Sequence, residues 1–238
     1  MIRVVAFAGL MLVLVSCGEK MASPPGKLRG QVRLEGKRPM MKSVSMDAEE
    51  ACAKMHAAPV MDGTAVISET GGVKNVFVYV KRGLEGKSYA PPTETVVIEQ
   101  KGCQFGPRVL GVRKMQTIAV KNLDPVTHNI HPMPKNNRDW NQSQAPGAED
   151  LKRRFGFPEV MIPVKCNVHA WMRAYVAVME HPFFAVTDAA GGFQIPDLPP
   201  GEYEIAAWHE QFGDLTRRVR VEPGAAVEVP LSFVSNLP

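Results

Sequence analysis

The stretch Val160-Met161-Ile162-Pro163-Val164-Lys165-Cys166-Asn167-Val168-His169-Ala170-Trp171-Met172-Arg173-Ala174-Tyr175-Val176-Ala177-Val178-Met179 decides the fold class. Its two flanks, Val160–Lys165 and Arg173–Met179, are short and β-branched, as strands are. The seven residues between them therefore form a tight inter-strand loop. The same punctuation continues in both directions. Leu28–Leu34 alternates polar and apolar residues and ends at Glu35-Gly36; Val73–Lys81 places Val76, Val78 and Val80 on one face and Phe77 and Tyr79 on the other. Thr95–Glu99, Gln116–Lys121, Phe184–Thr187, Phe193–Ile195, Tyr203–Trp208, Arg217–Val221 and Val227–Leu231 read likewise. Turns such as Asp188-Ala189-Ala190-Gly191-Gly192 and Pro199-Pro200-Gly201 separate them. Short strands at this spacing predict an all-β protein of sandwiches rather than βαβ units. Asp47–His56 is the one convincing helix, with a second, weaker candidate at Glu149–Phe155, and there is no clear internal repeat.

The composition agrees. The chain has 238 residues, 28 Lys and Arg against 24 Asp and Glu, 20 Gly, 20 Pro and four Cys. That length can bury a sizeable core in one large or two modest domains. A net charge of +4 with no Lys/Arg-rich run gives no nucleic-acid footprint. Four cysteines are too few for a disulfide scaffold, so each needs its own explanation.

Arg3 and an unbroken apolar run from Val4 to Val15 precede Ser16-Cys17-Gly18. Twelve apolar residues reach only about 18 Å as a helix, short of a hydrocarbon core of about 30 Å, so residues 1–16 have the layout of an export signal rather than a membrane span. Leu14-Val15-Ser16-Cys17 resembles the lipobox of bacterial lipoproteins. That resemblance implies acylation of Cys17 and anchoring in membrane lipid, and Gly18 after it implies an outer membrane, facing the periplasm. The alternative is an ordinary signal peptide with an incidental cysteine. Residues 17–26, ending Ser23-Pro24-Pro25-Gly26, read as a flexible tether.

The loop 166–172 carries the chemistry. It sets a thiol, an imidazole and a thioether at the spacing C-x2-H-x2-M. Thirty-eight residues upstream of Cys166 lies His128, in Thr127-His128-Asn129-Ile130-His131. Two imidazoles and a thiolate with a weak axial Met are the ligand types of a blue-copper centre. The soft sulfur ligands favour Cu(I), the imidazoles suit both oxidation states, and a rigid loop limits rearrangement between them. Zinc prefers four firm ligands, and a thioether is a poor one. A metal-free reading, with Cys166 a small buried hydrophobe, stands beside these.

Here the chain resembles the cupredoxins of the amicyanin and plastocyanin kind. Residues 94–180 read like their second half: Phe105-Gly106-Pro107 through Val120 is similar to the strand pair before the first ligand, Thr127–His131 to the segment around it, and Cys166-x2-His169-x2-Met172 to the compact amicyanin loop. The resemblance implies a Greek-key β-sandwich holding one type 1 copper through His128, Cys166, His169 and Met172. It also implies that the Asn129 side chain ties the His128 strand to the Cys166 loop. The proline common in that loop is missing, and an insertion including Asn136–Asn141 separates the ligand segments. Cys166 would be the main electronic conduit and His169, near the surface, the outlet to a redox partner such as a cytochrome or an oxidoreductase. Trp171 would either form the docking surface or pack under it.

With Cys17 assigned to lipid and Cys166 to metal, Cys52 and Cys103 pair most simply in an exported protein; free or metal-linked thiols are the alternative. Residues 181–238 resemble a small transthyretin-like, carboxypeptidase-regulatory sandwich, through Thr187-Asp188-x2-Gly191-Gly192-Phe193-x-Ile195 and Leu198-Pro199-Pro200-Gly201-x-Tyr203. The same pattern marks the non-catalytic middle domain of rhamnogalacturonan lyases. Residues 27–93 either complete that sandwich or form a separate β segment. His131 should point away from the ligand face, and His56, His181 and His209 carry no evident chemistry. Met40, Met41, Met46, Met55 and Met61 are read as core filling and surface scatter, with a Cu(I)-binding surface as the alternative.

The expected function is one-electron transfer by a lipid-anchored copper protein that is a carrier and not an enzyme. Two alternatives stand beside it: a non-redox β-sandwich lipoprotein that binds carbohydrate or envelope proteins over a vestigial metal site, and copper storage or delivery.

Overall fold

The computed structural model describes residues 23–47, 49–235 and 237. The export signal and Cys17 lie outside them. In chain order the elements are β1 (Gly26–Glu35), α1 (Glu50–Ala53), β2 (Phe77–Arg82), β3 (Val96–Gln100), β4 (Phe105–Gly106), β5 (Val109–Arg113), β6 (Ile118–Asn122), β7 (His128–Pro132), β8 (Gln142–Gln144) and β9 (Leu151–Arg153). They continue with β10 (Glu159–Lys165), β11 (Arg173–Met179), β12 (Phe184–Val186), β13 (Gly192–Leu198), β14 (Gly201–His209), β15 (Gly213–Val221), β16 (Ala226–Glu228) and β17 (Leu231–Val234). The protein is all-β.

Four sheets make two sandwiches. In the first, β5-β11-β10-β7-β8 faces β4-β3-β6-β9. Alternation along each strand sends Ile98, Ile118, Val120, Ile130, Ile162, Val164, Val176 and Val178 into one shared core. In the second, β1 lies between β13 on one side and β16 and β17 on the other, opposite the sheet β12-β2-β14-β15. Leu28, Val32, Val78, Val80, Ile195, Ile205 and Phe233 fill it. The strands at 26–35 and 77–82 thus share sheets with strands from residue 184 onward, and all of the first sandwich is strung between β2 and its neighbour β12.

The two sandwiches meet sheet to sheet. Phe77 and Tyr79 of β2 and Ala206 of β14 turn away from their own core and pack on Val109, Ala177 and Met179 of the first sandwich. This is why residues 77–80 are buried without a break: the period of two serves a different core on each face. Gly111 permits the close approach, since a Cβ there would stand 2.5 Å from the Phe184 ring and 2.7 Å from that of Phe77. Arg108 crosses the seam: its Nε and Nη2 donate to Glu210 at 2.5 and 2.8 Å, and Nη1 donates to the Asp62 carbonyl at 2.9 Å.

Three expectations change. The helix expected over Asp47–His56 is only the short α1. The stretch Glu149–Phe155 contains strand β9, because Leu151–Arg153 completes the edge of β6. The tether ends earlier than expected: the Pro24 carbonyl accepts from Gly224 N at 3.0 Å, and Gly26 already belongs to β1.

Candidate metal centre

His128 opens β7, and Cys166, His169 and Met172 lie on the loop from β10 to β11. Because β7 pairs with β10, with His131 opposite Lys165, the register brings His128 beside that loop. The loop is closed by its own backbone: Cys166 N donates to the Met172 carbonyl at 3.2 Å and Met172 N to the His169 carbonyl at 3.0 Å. His128 Nδ1 and His169 Nδ1 stand 3.0 Å apart, Cys166 Sγ is 3.8 Å from His169 Nδ1, and one donor atom from each of the three residues lies within 4.8 Å of the others. All four expected ligands are sealed from solvent, His128 at 0%, Met172 at 1% and Cys166 and His169 at 2% exposure.

Asn129 does what its position suggests. Its Oδ1 accepts from Asn167 N at 3.0 Å, its own backbone N–H points to Cys166 Sγ at 3.4 Å, and its side-chain amide donates to Asn141. His131 faces outward, with Nε2 3.1 Å from Asp139 and Nδ1 3.3 Å from Asn167.

Sequence reasoning missed Asp124. This buried carboxylate accepts from His128 Nε2 at 2.7 Å, from Gly102 N at 2.6 Å and from Cys103 N at 2.8 Å. The signal was present, four residues before His128 in the turn Asn122-Leu123-Asp124-Pro125. A proton on Nε2 leaves Nδ1 as the imidazole's lone pair, aimed at Cys166 and His169.

The second missed feature is a cap. Residues 42–47 and 49–62 belong to a loop closed at its base, where Asp62 N donates to the Lys42 carbonyl and Val44 N to the Val60 carbonyl, each at 2.8 Å. Cys52, buried on α1, forms a disulfide with Cys103. His56 Nε2 is 2.8 Å from the Gly102 carbonyl. The cap lays Cys52 Sγ 3.8 Å and the Glu49 carboxylate 3.9 Å from His169 Nε2. Trp171 closes the remaining side, its ring centroid 5.1 Å from that of His169 and its Nε1 donating to the Cys103 carbonyl at 3.0 Å. His169 is thus no outlet at the surface, and Trp171 packs over it.

The electrostatics follow from this geometry. Burial opposes a charge on the Cys166 thiol, but His128 and the backbone N–H groups of His169, Asn129 and Val168 outweigh it and bring the thiol below its ordinary range. Burial likewise opposes protonation of His128, yet Cys166 and Asp124 carry the balance upward. His169 goes the other way, lowered by burial and by the neighbouring His128 against a smaller pull from Glu49. A thiol inclined to ionise, facing two imidazole nitrogens, is a set of donors suited to a soft or borderline cation. A second cluster of such atoms among the described residues, Cys103, Asp124 and His128, is not available to a metal, because Cys103 is already in the disulfide.

No family model matches this chain, and no curated protein does. Solved structures resemble part of it. The copper-containing nitrite reductase (NirK) from Thermus scotoductus SA-01 is 18% identical over 42% of this chain, with a TM-score of 0.34, and the match spans only 25% of that enzyme. A purple cupredoxin from Nitrosopumilus maritimus is 19% identical over 35% of this chain and 99% of its own, at a TM-score of 0.31. A mutant amicyanin in the Cu(I) state is 17% identical over 36% and 82%, at 0.30. The neighbours are cupredoxins, at scores too low to add weight to the geometry above.

Proposed function

We propose that the protein is a type 1 copper protein that carries single electrons, held to a membrane through Cys17. The observation that supports this best is the convergence of His128 Nδ1, His169 Nδ1 and Cys166 Sγ in a sealed site, on a loop that also holds Met172. The donor set fits copper: two imidazole nitrogens and a thiolate are the strong ligands, and Met172 is the weak one that zinc would not use. A mononuclear copper there supplies reversible exchange between Cu(I) and Cu(II).

The chain's part is to hold the donors still. Asp124 fixes the tautomer of His128. The Asn129–Asn167 hydrogen bond locks strand to loop, and two backbone N–H groups at 3.3 and 3.4 Å stabilise the Cys166 thiolate. The ligands are buried, at 2% exposure or less, which suits outer-sphere transfer and is the reason to read a carrier rather than an enzyme. The lipobox-like Leu14-Val15-Ser16-Cys17 supports export and an anchor, with an outer membrane facing the periplasm as its place.

The test is spectroscopic. The chain loaded with Cu(II) should show an intense thiolate-to-copper band in the visible and a reversible one-electron reduction. Cys166→Ser should lose the band and Asn167→Ala should keep it. A colourless protein that takes up no copper would sink the proposal.

A further inference from the structure

We propose that the redox partner docks on the groove beside Cys166, at the cationic pair Lys165 and Arg173, and that it is a one-electron protein presenting an acidic patch. The inference rests on the copper reading above and deepens it by naming where and with what chemistry the partner binds.

Three observations carry it. The first is that the His169 end is shut: Glu49, Cys52 and Trp171 cover it, and His169 is 2% exposed. A partner arriving there would meet the cap and not the ligand. The second is that an open groove of about 640 Å³ reaches Cys166 from the outer face of the sheet, lined by Pro163, Lys165, Asn167, Arg173 and Tyr175. Cys166 is itself among the lining residues, so a partner seated here lies beside the residue whose thiolate would bind copper most covalently.

The third is charge. Lys165 and Arg173 stand directly opposite each other in the antiparallel pair of β10 and β11, two residues along each strand from the Pro163–Tyr175 pair and on the same face. Like charges so placed destabilise a sheet. Among the described residues neither has a carboxylate within ion-pair distance or a side-chain hydrogen bond. The acids on either side are engaged elsewhere: Asp139 meets His131 at 3.1 Å, and Glu210 holds Arg108 and accepts from Tyr175 at 3.3 Å. Two unneutralised cations in a concavity draw in and orient a carboxylate-bearing surface. On docking, one electron leaves one protein and enters the other. No bond forms or breaks and no proton moves.

Hexacyanochromate(III), an inert paramagnetic trianion, serves as the acidic probe in an NMR titration of the 15N-labelled full chain without copper. The amides of Lys165, Asn167 and Arg173 should broaden first, salt should reverse the effect, and the double variant Lys165→Gln/Arg173→Gln should abolish it while the other resonances stay in place. Broadening centred on Arg218 and Arg220 or on the cap, or broadening that the double variant leaves unchanged, would overturn the docking site. With copper bound, oxidation by ferricyanide should slow roughly tenfold in the double variant, while oxidation by the cationic tris(phenanthroline)cobalt(III) should not slow. Equal slowing of both, or of neither, counts against the site. A chain that takes up no copper defeats the function proposed above and leaves the NMR result to judge the groove.

Discussion

The Asp124 carboxylate accepts from Nε2 of His128 at 2.7 Å and from two backbone N–H groups of the turn that carries Cys103. One side chain therefore fixes both the tautomer of the imidazole and the anchor point of the cap. Asp124→Asn turns one acceptor oxygen into a donor facing other donors. We expect metal affinity to fall roughly 10- to 100-fold, as when the hydrogen-bond partner of a ligating histidine is lost. Competition against a Cu(I) chelator measures this; unchanged affinity would show that the carboxylate serves the turn alone.

The disulfide between Cys52 and Cys103 closes a chain separation of 51 residues. In the chain-entropy account its loss costs about 4 kcal/mol. The double variant Cys52→Ala/Cys103→Ala should show that loss in chemical denaturation. It should also release copper to a chelator faster than the parent, because nothing covalent then holds the cap over His169. Release at the parental rate would mean that hydrogen bonds alone, His56 to Gly102 among them, keep the cap shut.

Arg108 and Glu210 form the buried ion pair of the seam, their side chains 16% and 8% exposed. Breaking such a pair leaves an uncompensated charge and costs about 3–5 kcal/mol. Glu210→Met and Arg108→Met should each be destabilising. Combining Arg108→Met with Glu210→Met should cost much less than the sum of the two singles. Additive losses in a double-mutant cycle would contradict this.

His209 is buried, 4.6 Å in ring centroid from Phe212, and its imidazole is pushed down from 6.5 to about 4 by burial and then by the Arg108 charge. Between those values the unfolded chain binds the proton and the folded one does not. Stability is therefore full above about pH 6.5 and falls as the pH drops toward 4, by about 3 kcal/mol in all. His209→Phe should flatten that part of the profile relative to the parent. Parallel profiles for the two proteins would assign the acid sensitivity to other groups.

What the sequence disclosed and what it hid divide by range. The face-to-face alternation of 73–81 was legible because period two is local, and the structure merely adds that Phe77 and Tyr79 serve the seam. The run 227–231 reads as one strand but is two, since Pro230 cannot donate and the chain moves along β1 from β16 to β17. Cys166, His169 and Met172 announce themselves by spacing alone. The cap does not, because Glu49 and Cys52 act on a ring more than a hundred residues away and nothing in their neighbours' pattern points there. The stretch 149–155 looks helical by itself for the same reason: its partner strand, β6, overrides its local preference.

The pairing of β2 with β12 sets Tyr79 opposite Phe184. As the chain emerges, β2 is finished long before its neighbour exists, and the second sandwich has to wait for the whole first one to be made. If the inserted sandwich folds on its own, it draws its two ends together, and the closure entropy of a long flexible loop no longer falls on the β2–β12 pairing. The order of assembly would then run from the inside out: the module made in the middle closes first and serves as the template on which the chain's own beginning and end are joined. A destabilised metal-site sandwich would in that case delay maturation of the other one as well, so damage to either should be felt in the yield of both.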